Sequence, residues 1–149
     1  MSKHLASLRW NRNGKPFTYE GYSRDHEWIF EGGQRLTGSA AEAFLGSPEG
    51  VDPEEAMVVA LSSCHMLTLL AIAAKKGWTV ESYDDDAEGT LGKNDAGKLS
   101  LTRVTLRPRN IFAEGKTPDA EALQRLHHQA HENCFIANSV KTEVVIEAQ

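Results

Sequence analysis

The stretch of sequence that decides the fold is residues 52–77, DPEEAMVVALSSCHMLTLLAIAAKKG. Asp52 is a candidate N-cap followed by a proline and two acids, and two lysines precede Gly77, so the stretch carries the start and stop signals of a helix. Nearly every position between these ends is apolar or small, and a helix without a polar face is expected to be buried on all sides. One small domain offers too little cover for such a helix, which favours an intimate homodimer.

Length and composition limit the class of protein. The 149 residues are enough for one domain with its own core, and we expect a single domain over residues 1–149. A net charge of −5 disfavours a nucleic-acid or anionic-membrane partner. The apolar run approaches the length of a membrane span, but Ser62, Ser63, His65 and Thr68 interrupt it, so we expect no membrane partner. No N-terminal signal pattern is visible, which favours a cytoplasmic location.

Strands are predicted on both sides of the long helix from apolar, β-branched and aromatic residues between turn signals. We expect them at 6–11, 17–22, 27–30, 34–39, 79–91, 99–109 and 141–147. The glycine-containing segments 13–16, 32–33 and 94–97 are predicted turns, the first of them a strong hairpin signal. The apolar residues change from odd to even positions between Leu101 and Val104, which predicts a β-bulge near Thr102.

A second helix is predicted from Pro118 to about Cys134, with Asp119 in the capping segment and one apolar stripe. Strands joined by short turns indicate antiparallel sheets. The order of elements therefore indicates an α+β fold rather than a doubly wound parallel sheet.

The chain has two cysteines, Cys64 in the long helix and Cys134 at the end of the second. In an intracellular chain a redox pair or metal ligands are more plausible than a structural disulfide. A buried cysteine commonly acts as a small apolar residue. Because Cys64 is far from a helix N-terminus, a reactive thiolate there needs a cation from elsewhere. Sequence spacing does not establish the Cα separation of roughly 4.4–6.8 Å that a disulfide requires.

A metal site is an alternative interpretation of the same region. His127, His131 and Cys134 follow one helix face at i, i+4 and i+7, and with His65 or Cys64 they could bind zinc. The competing interpretation is a solvated helix face, since no CxxC or HExxH core accompanies the spacing.

Two further residues have both a functional and an ordinary interpretation. Glu54 is suited to be a first-turn acid at the helix N-terminus, where the helix dipole favours negative charge. Arg24 lies in the polar turn 23–26, where an exposed charge is common.

Taken together, these residues resemble the OsmC/Ohr family of thiol-dependent peroxidases. The resemblance rests on DPEE at 52–55 and ALSSC at 60–64 within a long apolar helix, and on Cys134 followed by NSVK at 138–141 and a terminal strand. The order of elements also matches over essentially the whole chain. The resemblance implies an OsmC-like fold, in which antiparallel sheets wrap a long buried central helix and a second helix within an intertwined homodimer.

The resemblance also implies an activity, the reduction of organic hydroperoxides or hydrogen peroxide without a cofactor. Cys64 matches the peroxidatic cysteine, Cys134 the resolving cysteine and Glu54 the acid of the family's Pro-Glu motif, while Arg24 is the best match for the family arginine. An external dithiol, of lipoyl or thioredoxin-like type, would reduce the resulting disulfide. The family often has a proline where Phe135 follows the second cysteine, so the subfamily and the preferred peroxide stay open.

The residue roles lead to a hypothesis about subunits. Arg24 would stabilise the Cys64 thiolate, and Glu54 would hold the guanidinium through a charge-assisted pair. Glu54 and Cys64 are about 15 Å apart along a straight helix. We therefore expect Glu54 and Arg24 to serve the partner subunit's Cys64. The alternatives are the zinc-binding protein described above and a non-catalytic ligand-binding member of the same fold.

Overall fold

The computed structural model describes every residue from Met1 to Gln149. It has an α+β fold, as predicted, with two α-helices and three sheets. The strands and helices are β1 Ala6–Arg9, β2 His26–Phe30, β3 Arg35–Gly38, α1 Pro53–Lys75, β4 Val80–Asp85, β5 Glu88–Lys93, β6 Leu99–Leu106, β7 Pro108–Phe112, α2 Ala120–Glu132 and β8 Glu143–Ile146. The chain divides into two compact units, Met1–Ala56 and Met57–Gln149. The single-domain expectation stays a prediction.

The first unit contains an antiparallel sheet in the order β1-β2-β3. The predicted hairpin at Gly32-Gly33 is confirmed, because Gly33 has a φ of 85° and its N–H donates to the Phe30 carbonyl at 2.9 Å. Asn13 and Gly14 also form a turn, with positive φ of 50° and 74°. However, residues 17–22 form further turns, and β1 pairs with β2. The predicted strand at 17–22 is therefore wrong.

The second unit has a sheet in the order β5-β6-β8 and a two-stranded sheet of β4 and β7. The two long predicted strands are each divided, at Asp86-Ala87 and before Pro108. The predicted bulge is confirmed, since Thr90 faces Arg103 and Leu91 faces Leu101, which leaves Thr102 without a partner residue in the ladder. β8 runs parallel to β6, a pairing that short-turn reasoning did not predict.

The start of α1 forms a capping box around Asp52, the predicted N-cap. The Glu55 N–H donates to Asp52 Oδ1 at 2.7 Å, and the Asp52 N–H donates to Glu55 Oε2 at 3.1 Å. The helix ends before Gly77, whose φ is 76°, a conformation that glycine adopts without steric cost. By length and composition alone, α1 is also apolar enough to cross a membrane, a test that core helices of globular proteins pass as well.

The single chain buries only part of the α1 surface. Its fully buried residues follow one stripe at four-residue spacing, Leu61, His65, Leu69 and Ala73. On other faces, Val59 is 62% exposed and Leu67 is 60% exposed. The single chain therefore covers one stripe of α1 and leaves a large apolar face open, and burial of the whole helix within a homodimer stays a prediction.

Two clusters of buried residues anchor the stripe. Leu69 and Ala73 pack with Leu126 and Ala130 of α2, and Leu61 packs with strand β6. The N-terminus of α2 is capped by Asp119, whose carboxylate accepts from the Ala122 N–H at 2.7 Å. These contacts position α1 and α2 against each other; α1 contains Cys64, and Cys134 follows the end of α2.

Candidate active site

The two cysteines, 70 residues apart in sequence, are neighbours in the second unit. Both are free thiols; Cys64 is half-buried and Cys134 is only 1% exposed. Burial and then a hydrogen-bonding interaction with Cys64 raise the pKa of the Cys134 thiol to about 11. At neutral pH Cys134 is therefore a protonated thiol, and Cys64 is near enough to contribute to its raised pKa.

Backbone hydrogen bonds fix the position of Cys134 just beyond α2. Its N–H donates to the His131 carbonyl at 3.2 Å, and its carbonyl accepts from the backbone N–H of Asn138 at 3.0 Å. The Ala137 N–H points to the Cys134 sulfur at 3.4 Å. Backbone bonds thus tie Cys134 to the residues before and after it. The distance between its sulfur and Cys64 therefore depends on the position of α2.

Cys64 lies in the wall of a pocket of about 960 Å³. Aliphatic and aromatic side chains dominate the wall, among them Leu67, Ala71, Ile72, Phe135 and Ile136. The volume is that of a small-molecule pocket. A reactant in this pocket meets Cys64, whereas Cys134 is buried and does not line it.

Arg24 lies in the first unit and is half-buried, which corrects its interpretation as an exposed turn charge. Its guanidinium donates to the carbonyls of Tyr22 at 2.7 Å and Tyr19 at 2.6 Å. It also lies over the Tyr22 ring at 3.7 Å, a cation–π contact. The Arg24 Nε–H is buried without a partner. The side chain is therefore held in place and keeps one unused donor.

Glu54 and Arg24 line the same pocket of about 680 Å³ in the first unit, together with the rings of Trp10, Phe17 and Tyr22. The predicted charge-assisted pair is not formed, because no salt bridge joins the two side chains. Backbone carbonyls hold the guanidinium instead. The role of Glu54 stays a prediction.

A buried polar cluster beside Cys64 was not predicted. His65 Nε2 lies 3.1 Å from His127 Nδ1, and Asn110 Nδ2 lies 3.0 Å from His127 Nε2. Burial and then the rings of His127 and His131 lower the pKa of His65 to about 4, and burial lowers the pKa of His127. Both rings are therefore neutral at pH 7. The sequence signal was the place of His127 between Leu126 and Ala130 on the apolar stripe.

The zinc interpretation is wrong for this structure. No group of three or more His, Cys, Asp or Glu side chains is placed to hold a metal ion. His127 turns into the core toward His65 and Asn110, while Cys134 lies beside Cys64. The i, i+4, i+7 spacing of His127, His131 and Cys134 reflects the packing of α2 rather than a coordination site.

Comparison with known proteins agrees with this fold. The fold is that of solved OsmC and Ohr proteins, and a family model described as OsmC-like protein matches residues 46–149. The match spans more than half of the chain, and the chain belongs to the OsmC family. The resemblance read from the sequence is confirmed.

Individual relatives differ in how close they are. An OsmC-like protein of unknown function from Vibrio cholerae is 51% identical, with full coverage of both chains and a TM-score of 0.96. Peroxiredoxin OsmC of Escherichia coli is 27% identical over 103 residues, 68% of each protein. The organic hydroperoxide resistance protein OhrB of Bacillus subtilis shares the fold at 18% identity, with a TM-score of 0.69 over 99% of this chain and 98% of its own.

Proposed function

We propose that this protein is a cysteine-based peroxidase that reduces organic hydroperoxides. The observation that carries the proposal is the asymmetry of its two thiols: Cys64 lines a pocket, and Cys134 is buried next to it. Membership of the OsmC family supports a redox, peroxidase-like role in general. The zinc alternative has no assembled ligand set to support it.

In the first step the Cys64 thiolate attacks the O–O bond of the hydroperoxide. The S–O bond forms as the O–O bond breaks, so that Cys64 becomes a sulfenic acid and the leaving oxygen departs, once protonated, as an alcohol. The peroxide is reduced by two electrons and the sulfur is oxidised by two. Cys134 does not compete for the peroxide in this step, since its raised pKa keeps the thiol protonated and poorly nucleophilic.

In the second step Cys134 attacks the Cys64 sulfenic acid. An S–S bond forms, the S–O bond breaks, and the hydroxyl leaves as water with the proton of the Cys134 thiol. An external dithiol, of lipoyl or thioredoxin-like type, then reduces the Cys64–Cys134 disulfide by exchange and becomes oxidised itself. This cycle needs no metal or organic cofactor.

The apolar wall around Cys64 supports the choice of substrate. Phe135 and Ile136 are 82% and 36% exposed in the chain, and burying apolar surface of a ligand against them favours binding. Hydrogen peroxide has no such surface, so we expect it to react less efficiently than an alkyl or aryl hydroperoxide.

We further propose that the working form is a cytoplasmic homodimer in which Arg24 and Glu54 act on the partner subunit's Cys64. The exposed apolar face of α1 gives a second copy a surface to cover. The guanidinium of Arg24 is held by carbonyls and retains a buried, unpaired Nε–H, which suits it to bind an anion.

The proposed function is tested by counting free thiols and measuring turnover. Reduced protein should consume cumene hydroperoxide continuously with a dithiol and lose both thiols without one. Cys64→Ser should reduce turnover to the uncatalysed rate, because the nucleophile is lost. Cys134→Ser should be oxidised once and then stall. Unchanged turnover of Cys64→Ser would overturn the proposal.

A further inference from the structure

A hydrogen-bonded pair of histidines joins α1, which contains Cys64, to α2, which ends just before Cys134. His65 of α1 and His127 of α2 stack with ring centroids 5.5 Å apart and planes inclined by 8°. Their facing nitrogens, Nε2 of His65 and Nδ1 of His127, are 3.1 Å apart. Both residues are buried, at 1% and 5% exposure, and neither takes part in the peroxide chemistry proposed above.

Because Asn110 presents its Nδ2 to His127, the hydrogen bonds run from β7 through His127 to His65. The Asn110 amide Nδ2 donates to His127 Nε2 at 3.0 Å, so a neutral His127 carries its proton on Nδ1 and donates to His65 Nε2. His65 then carries its proton on Nδ1, which is buried without a partner. The pair thus links α1 and α2 to strand β7, which contains Asn110.

The His65–His127 pair is better suited to fixing the position of α2 against α1 than to increasing the stability of the fold. A buried N–H without an acceptor costs free energy, and two apolar side chains would join the helices without that cost. A hydrogen bond, unlike an apolar contact, requires a narrow range of distance and direction. The His65–His127 bond therefore restricts how far α2 can slide or turn against α1.

The restricted motion is the one that separates the sulfurs. Cys64 directly precedes His65 in α1, and Cys134 follows His127 by about two helical turns. Because backbone bonds tie Cys134 to the end of α2, a shift of α2 moves its sulfur with it. The His65–His127 bond thus joins α1 at the residue after Cys64 to α2 about two turns before Cys134.

We propose that His65 and His127 are a positioning pair that sets the approach of Cys134 to Cys64 and thereby the rate of disulfide closure. This inference rests on the proposed function. In the step concerned, the sulfenic S–O bond of Cys64 is replaced by the S–S bond, with release of water. The attack of Cys64 on the peroxide does not need Cys134, so the pair should leave that first step unchanged.

Four substitutions separate position from packing. His65→Leu and His127→Leu remove the bond and keep an apolar core. His65→Gln and His127→Asn carry an amide where the bonded ring nitrogen lies and can restore the bond. Leu126→Val, which trims the same helix contact without touching the bond, is the control for general destabilisation. Each variant is checked by thermal unfolding before its kinetics are measured.

Rapid mixing with cumene hydroperoxide separates the two steps, because the first depends on peroxide concentration and the second does not. We expect the leucine variants to close the disulfide about ten- to a hundredfold more slowly, the cost of misplacing reacting groups by less than about 1 Å. Their sulfenic acid should be trapped more completely by a cyclic 1,3-diketone. The Gln and Asn variants should regain most of the closure rate. Wild-type closure in both leucine variants, equal slowing of both steps, or equal slowing in Leu126→Val would overturn the inference.

A second oxidant distinguishes failure of this inference from failure of the proposed function. Diamide closes neighbouring thiols to a disulfide without any peroxide. If peroxide does not oxidise the wild type but diamide closure is slowed by His127→Leu and restored by His127→Asn, the positioning pair is supported and the peroxidase proposal is wrong. If diamide closure is the same in all variants, the positioning pair is wrong whatever the peroxide result.

Discussion

The pocket around Arg24 and the pocket around Cys64 differ in their chemistry. The first is lined by aromatic rings and contains both a guanidinium and a carboxylate. The second is lined by aliphatic and aromatic side chains around a thiol, and its basic residue, Lys75, is about 16 Å from Cys64 along α1. The first pocket offers a cation without a sulfur, and the second a sulfur without a close cation on its own helix.

This difference is the reason to propose a site shared between subunits. A half-buried thiol is a poor nucleophile unless a nearby positive charge favours its thiolate. Arg24 is held in place by the Tyr19 and Tyr22 carbonyls and still has an unpaired donor. Neither pocket contains the complete chemistry, and the experiments below change one pocket at a time.

The largest effect is expected at Arg24. Arg24→Ala should slow the first oxidation of Cys64 about a hundredfold at pH 7, which corresponds to about 2.7 kcal/mol of lost transition-state stabilisation, because the thiolate loses its nearby positive charge. Stopped-flow mixing with excess hydroperoxide measures this rate. Arg35→Ala removes an exposed ion pair with Glu27 in the same unit and should leave the rate unchanged. Equal rates for Arg24→Ala and the wild type would remove Arg24 from the site.

Mixed dimers sharpen the same comparison. In a shared site, a homodimer of Arg24→Ala lacks the arginine in both sites, and a homodimer of Cys64→Ser lacks the thiol in both. A heterodimer of the two variants contains one site with both groups intact. Random mixing should therefore restore about a quarter of wild-type turnover. No recovery in verified heterodimers would show that each chain uses its own arginine.

The next effect concerns stability in the unit that contains Cys64. His65 has a folded-state pKa of about 4 against an ordinary value of 6.5, so the unfolded chain binds a proton that the folded chain does not between these pH values. Stability should be complete above pH 6.5 and fall by about 2 kcal/mol between pH 7 and pH 5 from this residue alone. Denaturant unfolding measures the loss. His65→Leu should flatten the pH dependence, and an unchanged slope would contradict the assignment.

The smallest effect is expected from the apolar wall. Phe135→Ser should weaken the reaction with cumene hydroperoxide by about three- to tenfold, since it removes most of an aromatic contact, and should leave hydrogen peroxide nearly unaffected. The ratio of kcat/KM for the two peroxides measures the change. Leu99→Ser is the control, as Leu99 is 63% exposed and lines neither pocket. An unchanged ratio in Phe135→Ser would mean that Phe135 does not contact the substrate.

Local chemistry made several features predictable from the sequence. The capping box of Asp52 and Glu55 and the bulge at Thr102 depend on residues close together in the chain. The strand predicted at 17–22 failed because the carbonyls of Tyr19 and Tyr22 bind Arg24 instead of a neighbouring strand. A local preference was overridden there by a residue of the candidate site.

Long-range pairing limited the prediction of the site. His127 was read as part of a solvated or metal-binding face because its partners, Asn110 and His65, lie 17 and 62 residues away. The approach of Cys134 to Cys64 was implied only by the family resemblance, since spacing alone does not bring two helices together. The sequence also did not indicate that Arg24 binds backbone carbonyls rather than Glu54. Those carbonyls, of Tyr19 and Tyr22, belong to turns in a segment that was predicted as a strand.

The most direct test of the thiol pair is a single oxidation followed by mapping of the cysteines. Fully reduced protein receives one equivalent of cumene hydroperoxide without a reductant, free thiols are alkylated, and the unreduced digest is analysed by mass spectrometry. We expect one linked pair of peptides containing Cys64 and Cys134 and no alkylated form of either. Oxidised Cys64 together with a fully alkylated Cys134, or two alkylated cysteines beside unconsumed peroxide, would contradict the pairing on which the proposed mechanism depends.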